Sequence, residues 1–236
     1  MNYFSDVANL PPGTKAMLCP GGIGDAIALS GIVVHLCKKF KCDIRVPLKP
    51  GSFQAIGSLY DAYPQITTWM VPGQGWLNRA LSKCRPDQVI NAVMPSSDEL
   101  NGCDQFKAVY RRLGIPYEER WNSSPISERI KSVPQLRLLD GDYVLIHDDP
   151  SRKFAIDESR IKSDLPRVRV HNAGGSLLEW AWMISNACEV HCIDSAPFHL
   201  CEHLPVFGKL YLHQYTKYQP GGRCDYETRH PWIVLR

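Results

Sequence analysis

Residues 189–200 read EVHCIDSAPFHL, and this stretch indicates the fold more clearly than any other part of the chain. Glu189–Ile193 is a short run with strand-forming residues, which predicts a β-strand. Asp194–Pro197 follows directly: Ser195 is a favoured residue at a helix N-terminus, and Pro197 suits the first helical turn. The stretch therefore predicts a strand that runs into a helix, the unit from which parallel α/β sheets are built.

The same alternation extends outward in both directions. The pattern predicts strands at Lys15–Cys19, Asp43–Leu48, Ile66–Val71, Gln88–Val93, Tyr143–His147, Arg167–Val170, Glu189–Ile193 and Lys209–His213. It predicts helices at Asp25–Phe40, Phe53–Tyr60, Trp76–Cys84, Asp104–Leu113, Leu177–Asn186 and Pro197–His203, and a closing strand or helix end at Trp232–Leu235. Because a polar, proline-containing segment interrupts the series, we predict an α/β protein of two Rossmann-like domains, with mostly parallel sheets facing a central cleft. The domains are residues 1–125 and 143–236, and residues 126–142 form the linker.

Composition excludes several classes of protein. The chain has 236 residues, 44% hydrophobic content and a net charge of +3, which is typical of a folded globular protein and not of a disordered one. No run approaches the roughly 20 apolar residues needed to cross a bilayer. Met1–Leu10 lacks the pattern of a secretory signal, and the nine cysteines are odd in number and scattered. We therefore expect reduced thiols and a cytoplasmic location.

A glycine-rich turn follows the first predicted strand. Gly22 and Gly24 would let the backbone approach a ligand closely. The dinucleotide-binding pattern fails, however, because its third glycine would fall at Ile27, and Asp43 lies at the start of the second strand and not at its end. Asp25 is either a helix-capping residue or a first-turn residue that points into the cleft.

Two later turns carry groups that suit an anion. Arg152 and Lys153 lie on the loop that leaves the strand Tyr143–His147, where two adjacent cations would favour a diphosphate, although a solvated loop with local ion pairs is equally compatible. The helix beginning at Ser195 presents free N–H groups at the carboxyl end of a strand, and it is either an anion site or a well-capped helix.

Cysteine and histidine are concentrated near the same strand. These are residue types that can bind zinc, but no spacing forms a paired Cys-x-x-Cys unit, and neighbouring residues of a strand point to opposite faces. We therefore predict buried thiols and helix-surface histidines and no metal site. The residues concerned are Cys188, His191, Cys192, His199, Cys201 and His203.

The turns together resemble a known family. Leu177–Ala187, then a strand, then Asp194–Leu200 is similar to the C-terminal half of the heptosyltransferase-like glycosyltransferases, the family of ADP-heptose:lipopolysaccharide heptosyltransferases. That family has a Leu-x-Glu helix start and a strand ending in Asp-Ser/Thr-Gly-Pro-x-His-Leu. The segment Gly24–Ser30 resembles the family's Gly-Asp turn, whose Asp is its proposed catalytic base. Ala196 stands where the family usually has Gly, so the chain resembles a short, divergent member.

The resemblance implies a GT-B glycosyltransferase that is inverting and metal-independent. The N-terminal domain would take the acceptor and the C-terminal domain the nucleotide-sugar donor, with UDP or ADP as its nucleotide and no further cofactor. Asp25 would be the catalytic base, and Gly22 and Gly24 would line the acceptor side of the cleft. The donor would contact Arg152, Lys153, Gly174, Gly175, Asp194, Ser195, Ala196 and His199.

Other functions remain open at this stage. The acceptor is a glycan, a lipid or a modified DNA; the last case would be a glycosyltransferase for hydroxymethylated bases in viral DNA, for which the basic segment Lys107–Arg112 is the main support. A nucleotide- or sugar-binding protein that has lost catalysis is a further alternative. A nicotinamide-dependent oxidoreductase is disfavoured by the failed dinucleotide pattern.

Overall fold

The computed structural model describes residues 13–18, 22–71, 75, 84–95, 104–131, 141–149, 154–170, 176–214 and 227–235. Within it the chain divides into two compact units, Met1–Arg129 and Ile130–Arg236. Each unit has its own parallel sheet. The predicted α/β class with two parallel sheets is therefore confirmed.

The first unit is a four-stranded sheet with helices in the connections. Its strands, in the order β3-β2-β1-β4, are all parallel. They are β1 (Lys15–Leu18), β2 (Ile44–Leu48), β3 (Ile66–Met70) and β4 (Val89–Asn91). The described helices are α1 (Ile23–Ala28), α2 (Ser30–Phe40), α3 (Pro50–Ile56), α4 (Gln105–Arg112), α5 (Glu119–Asn122) and α6 (Pro125–Lys131), with a short 3-10 turn at Pro86–Gln88.

The helix predicted at Asp25–Phe40 is two helices that meet at Leu29. The Ser30 hydroxyl donates to the Ile27 carbonyl oxygen at 2.8 Å, and the Leu29 N–H donates to the Asp25 carbonyl oxygen at 3.0 Å. A serine that bonds back to the preceding turn competes with the regular helical pattern, which accounts for the interruption. The break leaves α1 as a separate six-residue helix with Gly22 as its N-cap residue.

Helix α2 packs very closely on α5. A Cβ at Gly31 would overlap the Glu119 carbonyl oxygen and lie 3.0 Å from the Arg120 Cα. Arg120 is fully buried here and donates to the Tyr117 hydroxyl at 2.6 Å, while that hydroxyl donates to Asp104 at 2.9 Å. Gly31 is therefore the residue that allows the two helices to approach.

The second unit is a five-stranded sheet of parallel strands in the order β6-β5-β7-β8-β9. The strands are β5 (Val144–His147), β6 (Arg167–Val170), β7 (Glu189–Ile193), β8 (Lys209–His213) and β9 (Trp232–Leu235). The described helices are α7 (Leu177–Asn186) and α8 (Ala196–Cys201), with a 3-10 turn at Glu158–Arg160. Trp232–Leu235, left open by the sequence, is thus a closing strand.

Strand β9 is fixed to the unit by a buried carboxylate. The Trp232 indole N–H donates to Glu202 at 2.7 Å, and the Arg229 backbone N–H donates to the other oxygen of the same side chain. The Trp232 ring also packs on Phe198 of α8, with ring centroids 4.8 Å apart. The edge strand and the helix that follows β7 therefore share one core.

Several predicted boundaries shift for local reasons. The helix predicted at Phe53–Tyr60 begins at Pro50, because proline is favoured at the first helical position. Residues 126–131, predicted as the start of the linker, belong to α6. Of the helix predicted at Trp76–Cys84, the structure describes only the last residue. Among the described residues, no helix is both long and apolar enough to cross a membrane.

Candidate functional site

The candidate site of the second unit lies where β5 and β7 end. The two strands are parallel neighbours, with His147 paired to Cys192 in register. Because parallel strands end at the same edge of a sheet, His147 lies beside the turn Asp194–Ser195 that follows β7. The sequence predicts His147 as the last residue of this strand, but it gives no indication of a role for this side chain.

Ser195 is placed at the start of α8 but does not cap it with its side chain. It lies at the N-cap position with extended backbone, φ −161° and ψ −173°. Its hydroxyl donates instead to the Ile193 carbonyl oxygen at 3.2 Å and lies 3.3 Å from His147 Nδ1. The predicted N-cap position of Ser195 is therefore confirmed, but its hydroxyl makes no capping hydrogen bond and lies instead near the neighbouring strand.

Three further residues named from the sequence lie at the same turn. Ala196 and Pro197 open α8, and His199 is buried one turn further along it. The His199 Nε2 atom lies 4.0 Å from an oxygen of Asp194, whose side chain is half-buried. The structure thus brings Asp194, Ser195, Ala196 and His199 together.

His147 packs against apolar side chains. It is 1% exposed, and its ring centroid lies 5.6 Å from that of Trp180 on α7. A small cavity beside it is lined by Leu145, His147, Val170, Trp180, Ile184 and Pro197. The imidazole is therefore a packed part of the sheet edge, with Nδ1 directed toward Ser195.

The first unit places Asp25 in the first turn of α1. Its carboxylate accepts the Gly22 backbone N–H at 2.7 Å, which closes the start of the helix. Gly22 is exposed, and a Cβ built on it would meet nothing within 4 Å, so there is open space at this turn. Gly24 is the second residue of α1 and not part of the preceding turn. Asp25 is thus a first-turn residue whose carboxylate also caps the start of α1, and its orientation toward a cleft stays a prediction.

Arg152, Lys153, Gly174 and Gly175 lie outside the described residues. Their predicted donor contacts remain predictions. The structure does describe the residues around the first of these loops. Asp148 and Asp149, which precede it, are both buried, and Phe154, which follows it, pairs with Asp149 through two backbone hydrogen bonds.

Asp148 is occupied by contacts within its own unit. Its carboxylate forms an ion pair with Arg169 of β6 and accepts the Ile156 backbone N–H at 3.2 Å. Arg169 also pairs with Glu158, which in turn pairs with Arg167. This network fixes the segment that connects β5 to β6, and sequence reasoning missed it because the partners are brought together only by strand pairing.

The cysteines and histidines near β7 lie on different elements, with His191 and Cys192 on the strand and His199 and Cys201 on α8. Among the described residues, no group of three or more His, Cys, Asp or Glu side chains is arranged to hold a metal ion. Burial raises the pKa of the Cys192 and Cys201 thiols well above the usual value. The six described cysteines are free thiols, at positions 37, 42, 84, 188, 192 and 201.

His191 lies on β7, as predicted, and is buried. It is 1% exposed, its Nδ1 lies 2.9 Å from His213 Nε2, and its ring stacks on Tyr211 with centroids 4.2 Å apart. Burial lowers the pKa of His191, and burial together with the neighbouring His191 lowers the pKa of His213 to about 4. His199 and His203, on and after α8, are buried as well, so the prediction of helix-surface histidines is wrong.

Only part of the basic segment Lys107–Arg112, which supported a DNA acceptor, is available to contact a nucleic acid. Arg112 donates to the backbone carbonyl oxygens of Asn91 and Val93, so it fixes the end of β4. Lys107 and Arg111 are exposed and, with Tyr117, line an open depression whose rim also carries Glu118. The mixed charge of this surface gives little specific support to nucleic-acid binding.

No protein-family model matches the chain, and no curated protein matches it in sequence. Solved structures do match its fold. One is the glycosyl transferase family 9 protein from Veillonella parvula, with a TM-score of 0.57 and 12% identity over 99% of this chain and 88% of that one. Another is the iron-containing dodecameric glycosyltransferase TibC from enterotoxigenic E. coli, with a TM-score of 0.56 and 12% identity. This match covers 85% of the present chain but only 57% of TibC. At this identity the likeness establishes a shared fold.

Proposed function

We propose that this protein is a glycosyltransferase that moves a sugar from a nucleotide-diphosphate sugar to an acceptor hydroxyl. The observation that carries the proposal is the meeting of His147, Asp194 and Ser195 at the carboxyl-end edge of the second sheet. Ligands of open parallel sheets bind at this edge. The fold is shared with two glycosyltransferases, and the sequence at this turn resembles the heptosyltransferase-like family.

The donor diphosphate is assigned to the second unit. As the bond to the sugar breaks, its electron pair stays with the diphosphate, which gains negative charge. Arg152 and Lys153 supply positive charge, and the Ser195 hydroxyl supplies a hydrogen-bond donor. Gly174, Gly175 and Ala196 leave room for the phosphates, while Asp194 and His199 shape the turn that carries Ser195.

Catalysis is assigned to Asp25. A carboxylate within hydrogen-bond reach of the acceptor hydroxyl takes its proton while the oxygen attacks the anomeric carbon. The diphosphate leaves from the opposite side of that carbon, so the configuration is inverted. The open space beside Gly22 gives an acceptor room at this turn. In this scheme the diphosphate charge is met by side chains, and the transfer needs no metal.

The nucleotide is proposed to be UDP or ADP. The acceptor is a glycan or lipid hydroxyl in preference to DNA, because Arg112 of the basic helix is engaged with the backbone. A non-catalytic nucleotide- or sugar-binding protein would share the donor site but transfer no sugar. The proposal must therefore be tested at both steps, binding and transfer.

Binding is tested by thermal unfolding in the presence of UDP-, ADP-, GDP- and CMP-linked sugars. A ligand that binds only the folded state raises the melting temperature by mass action. We expect a UDP or ADP sugar to raise it, and the effect to be lost in the double variant Arg152→Ala and Lys153→Ala. The matched control is the double variant Lys38→Ala and Lys39→Ala, which removes two adjacent exposed cations from α2. If none of the nucleotide sugars shifts the melting temperature at millimolar concentration, the donor site is rejected.

Transfer is tested with the donor found in this way. Mass spectrometry should detect release of the nucleoside diphosphate and addition of the sugar to a mixture of glycan, lipid and hydroxymethylated-DNA acceptors. Binding without any glycosylated product across these three classes would favour the non-catalytic alternative.

A further inference from the structure

The Ser195 hydroxyl has one proton and more than one acceptor within reach. It donates to the Ile193 carbonyl oxygen at 3.2 Å, and His147 Nδ1 lies 3.3 Å away on the other side. A neutral imidazole carries its proton on one nitrogen only, so the role of Nδ1 depends on the tautomer. The protonation of His147 therefore decides where the Ser195 proton can point.

The two tautomers have opposite consequences for an anionic ligand. With Nδ1 unprotonated, His147 accepts the Ser195 proton and turns the hydroxyl's lone pairs outward, toward any phosphate oxygen, which can only accept. With Nδ1 protonated, His147 donates to the Ser195 oxygen, and the hydroxyl proton is left to be donated outward. Only the second arrangement makes Ser195 a donor to a diphosphate.

The surroundings of His147 keep its ring in one orientation. The residue is 1% exposed, its backbone is paired in register with β7, and its ring lies against Trp180. Packing of this kind holds a side chain in the geometry that a neighbouring functional group requires. Ser195 is half-buried, and its hydroxyl is not used to cap α8, so it can change acceptor without loss of a helix cap.

We propose that His147 is a positioning residue for the donor diphosphate: its Nδ1–H donates to the Ser195 oxygen and leaves the Ser195 hydroxyl to donate to a phosphate oxygen. The ligand class is a nucleoside diphosphate, and the inference rests on the proposed donor site. His147 acts through Ser195 and does not itself contact the sugar. The 3.3 Å contact shortens when the ligand binds, as such hydrogen bonds often do.

The test is a double-mutant cycle on the affinity of ADP and UDP, measured by calorimetry. Ser195→Ala removes the donor, and His147→Phe removes the Nδ1–H but keeps a ring against Trp180. Each should weaken binding about 10- to 100-fold, the range expected for a lost hydrogen bond to a charged group. Because His147 acts through Ser195, the double variant should bind no more weakly than Ser195→Ala alone.

A conservative variant separates positioning from packing. In His147→Asn the side-chain amide replaces the Nδ1–H donor but not the ring. We expect binding within about 3-fold of wild type, which a purely structural role of the ring would not allow. Losses that multiply in the double variant, or a folded His147→Asn variant that binds as weakly as His147→Phe, would overturn the proposal.

The tautomer itself gives a readout that is separate from binding affinity. ¹⁵N NMR of the imidazole should show His147 protonated at Nδ1, with a resonance that shifts in Ser195→Ala. An unprotonated Nδ1 in the nucleotide-bound protein overturns the inference even if ADP or UDP binds well, and the donor site then stands without it. If wild type binds neither nucleotide, the donor site and this inference fail together.

Discussion

The two units share a local design but use its polar side chain differently. In each, a strand of the parallel sheet is followed by a six-residue helix, β1 by α1 and β7 by α8; residues 19–21, between β1 and α1, lie outside the described part of the chain. Asp25 closes the start of its own helix by accepting the Gly22 N–H. Ser195 leaves its helix without a side-chain cap and reaches across to His147 on the neighbouring strand. The same kind of strand–helix unit thus has two outcomes: the Asp25 carboxylate bonds within its own helix start, and the Ser195 hydroxyl contacts a neighbouring strand.

The cores behind the two turns differ as well. Among the described residues, the first unit buries two charged side chains, Arg120 and Asp104, which both bond to the Tyr117 hydroxyl. Among its described residues, the second unit buries five histidines, at positions 147, 191, 199, 203 and 213. Buried histidines respond to pH in a range where an arginine does not. The two units therefore differ in the ionisable side chains that they bury as well as in their place in the chain.

The largest expected effect tests the role of Asp25. Asp25→Asn keeps the size of the side chain and an oxygen that can accept the Gly22 N–H, so the melting temperature should change little. It removes the proposed base, and we expect turnover to fall by about 10²- to 10⁴-fold with donor affinity nearly unchanged. Transfer rate, donor affinity and melting temperature should be measured on the same preparation.

The control for Asp25 is another carboxylate of the same unit. Asp43 is exposed and directly precedes β2, at the opposite edge of the sheet from the strand ends. Asp43→Asn should leave the transfer rate unchanged. A rate near wild type in Asp25→Asn would mean that Asp25 only caps α1 and that the base lies elsewhere; Asp148 is a poor substitute because it is buried against Arg169.

How far the sequence predicts this molecule depends on the range of the interactions. Elements set by local signals are predicted well: α7 begins at the capping Ser176 and covers its full predicted range Leu177–Asn186, and β7 covers Glu189–Ile193. The break at Leu29 was missed because it depends on a single serine hydrogen bond. Pro50 is a sequence signal for the start of α3, but the prediction followed the apolar pattern and placed the start at Phe53.

The sequence predicts those contacts of the candidate site that join residues close together in the chain, but not those that join residues on different strands. Asp194, Ser195, Ala196 and His199 are close in sequence, so their proximity follows from one turn. His147 is 48 positions from Ser195 and meets it only because β5 and β7 pair in register. Asp148 and Arg169 meet for the same reason across β5 and β6. Such contacts require the strand order, which periodicity does not give.

The next effect is an acid sensitivity confined at first to the second unit. Burial, with His191 close by, lowers the pKa of His213 to about 4 from the usual 6.5. The unfolded chain therefore binds a proton between these pH values that the folded unit does not, so stability rises with pH there and is lost as pH falls from 6.5 to 4.

Hydrogen exchange at pH 7 and pH 5 measures this separately for each unit. Amides of β7 and β8 should lose protection at pH 5, while those of α2 and β2 should not. In the first unit, the hydrogen bond from Ser123 lowers the pKa of Glu119, whose contribution is lost only below its usual value of 4.5. His213→Phe should flatten the response of the second unit. Equal losses in both units at pH 5 would contradict the assignment to the buried histidines.

A smaller effect is expected from glycine positions in the first unit. Gly31→Ala would drive its methyl group into the Glu119 carbonyl oxygen, so we expect destabilisation of about 1–3 kcal/mol, as for other overpacked contacts. Gly51→Ala is the matched control, because its Cβ in α3 would meet nothing within 4 Å. That change should stabilise the protein by up to about 1 kcal/mol. Urea unfolding of both variants decides the point, and similar changes of one sign would show that α2 and α5 do not pack as closely as described.

The smallest effect compares two serines at helix starts within the second unit. The Ser176 hydroxyl accepts the Glu179 N–H at 3.2 Å, and the Glu179 carboxylate accepts the Ser176 N–H at 2.7 Å, so both ends of this capping box are formed. Ser176→Ala should cost about 1 kcal/mol and speed hydrogen exchange at the Glu179 amide. Ser195 occupies the same position on α8 without this bond. Ser195→Ala should therefore leave exchange at the Phe198 amide unchanged and alter the His147 imidazole resonances instead. Faster exchange at Phe198 would show that Ser195 caps α8 in solution. Ser176 and Ser195 would then both cap their own helices, and the proposed difference between them would be wrong.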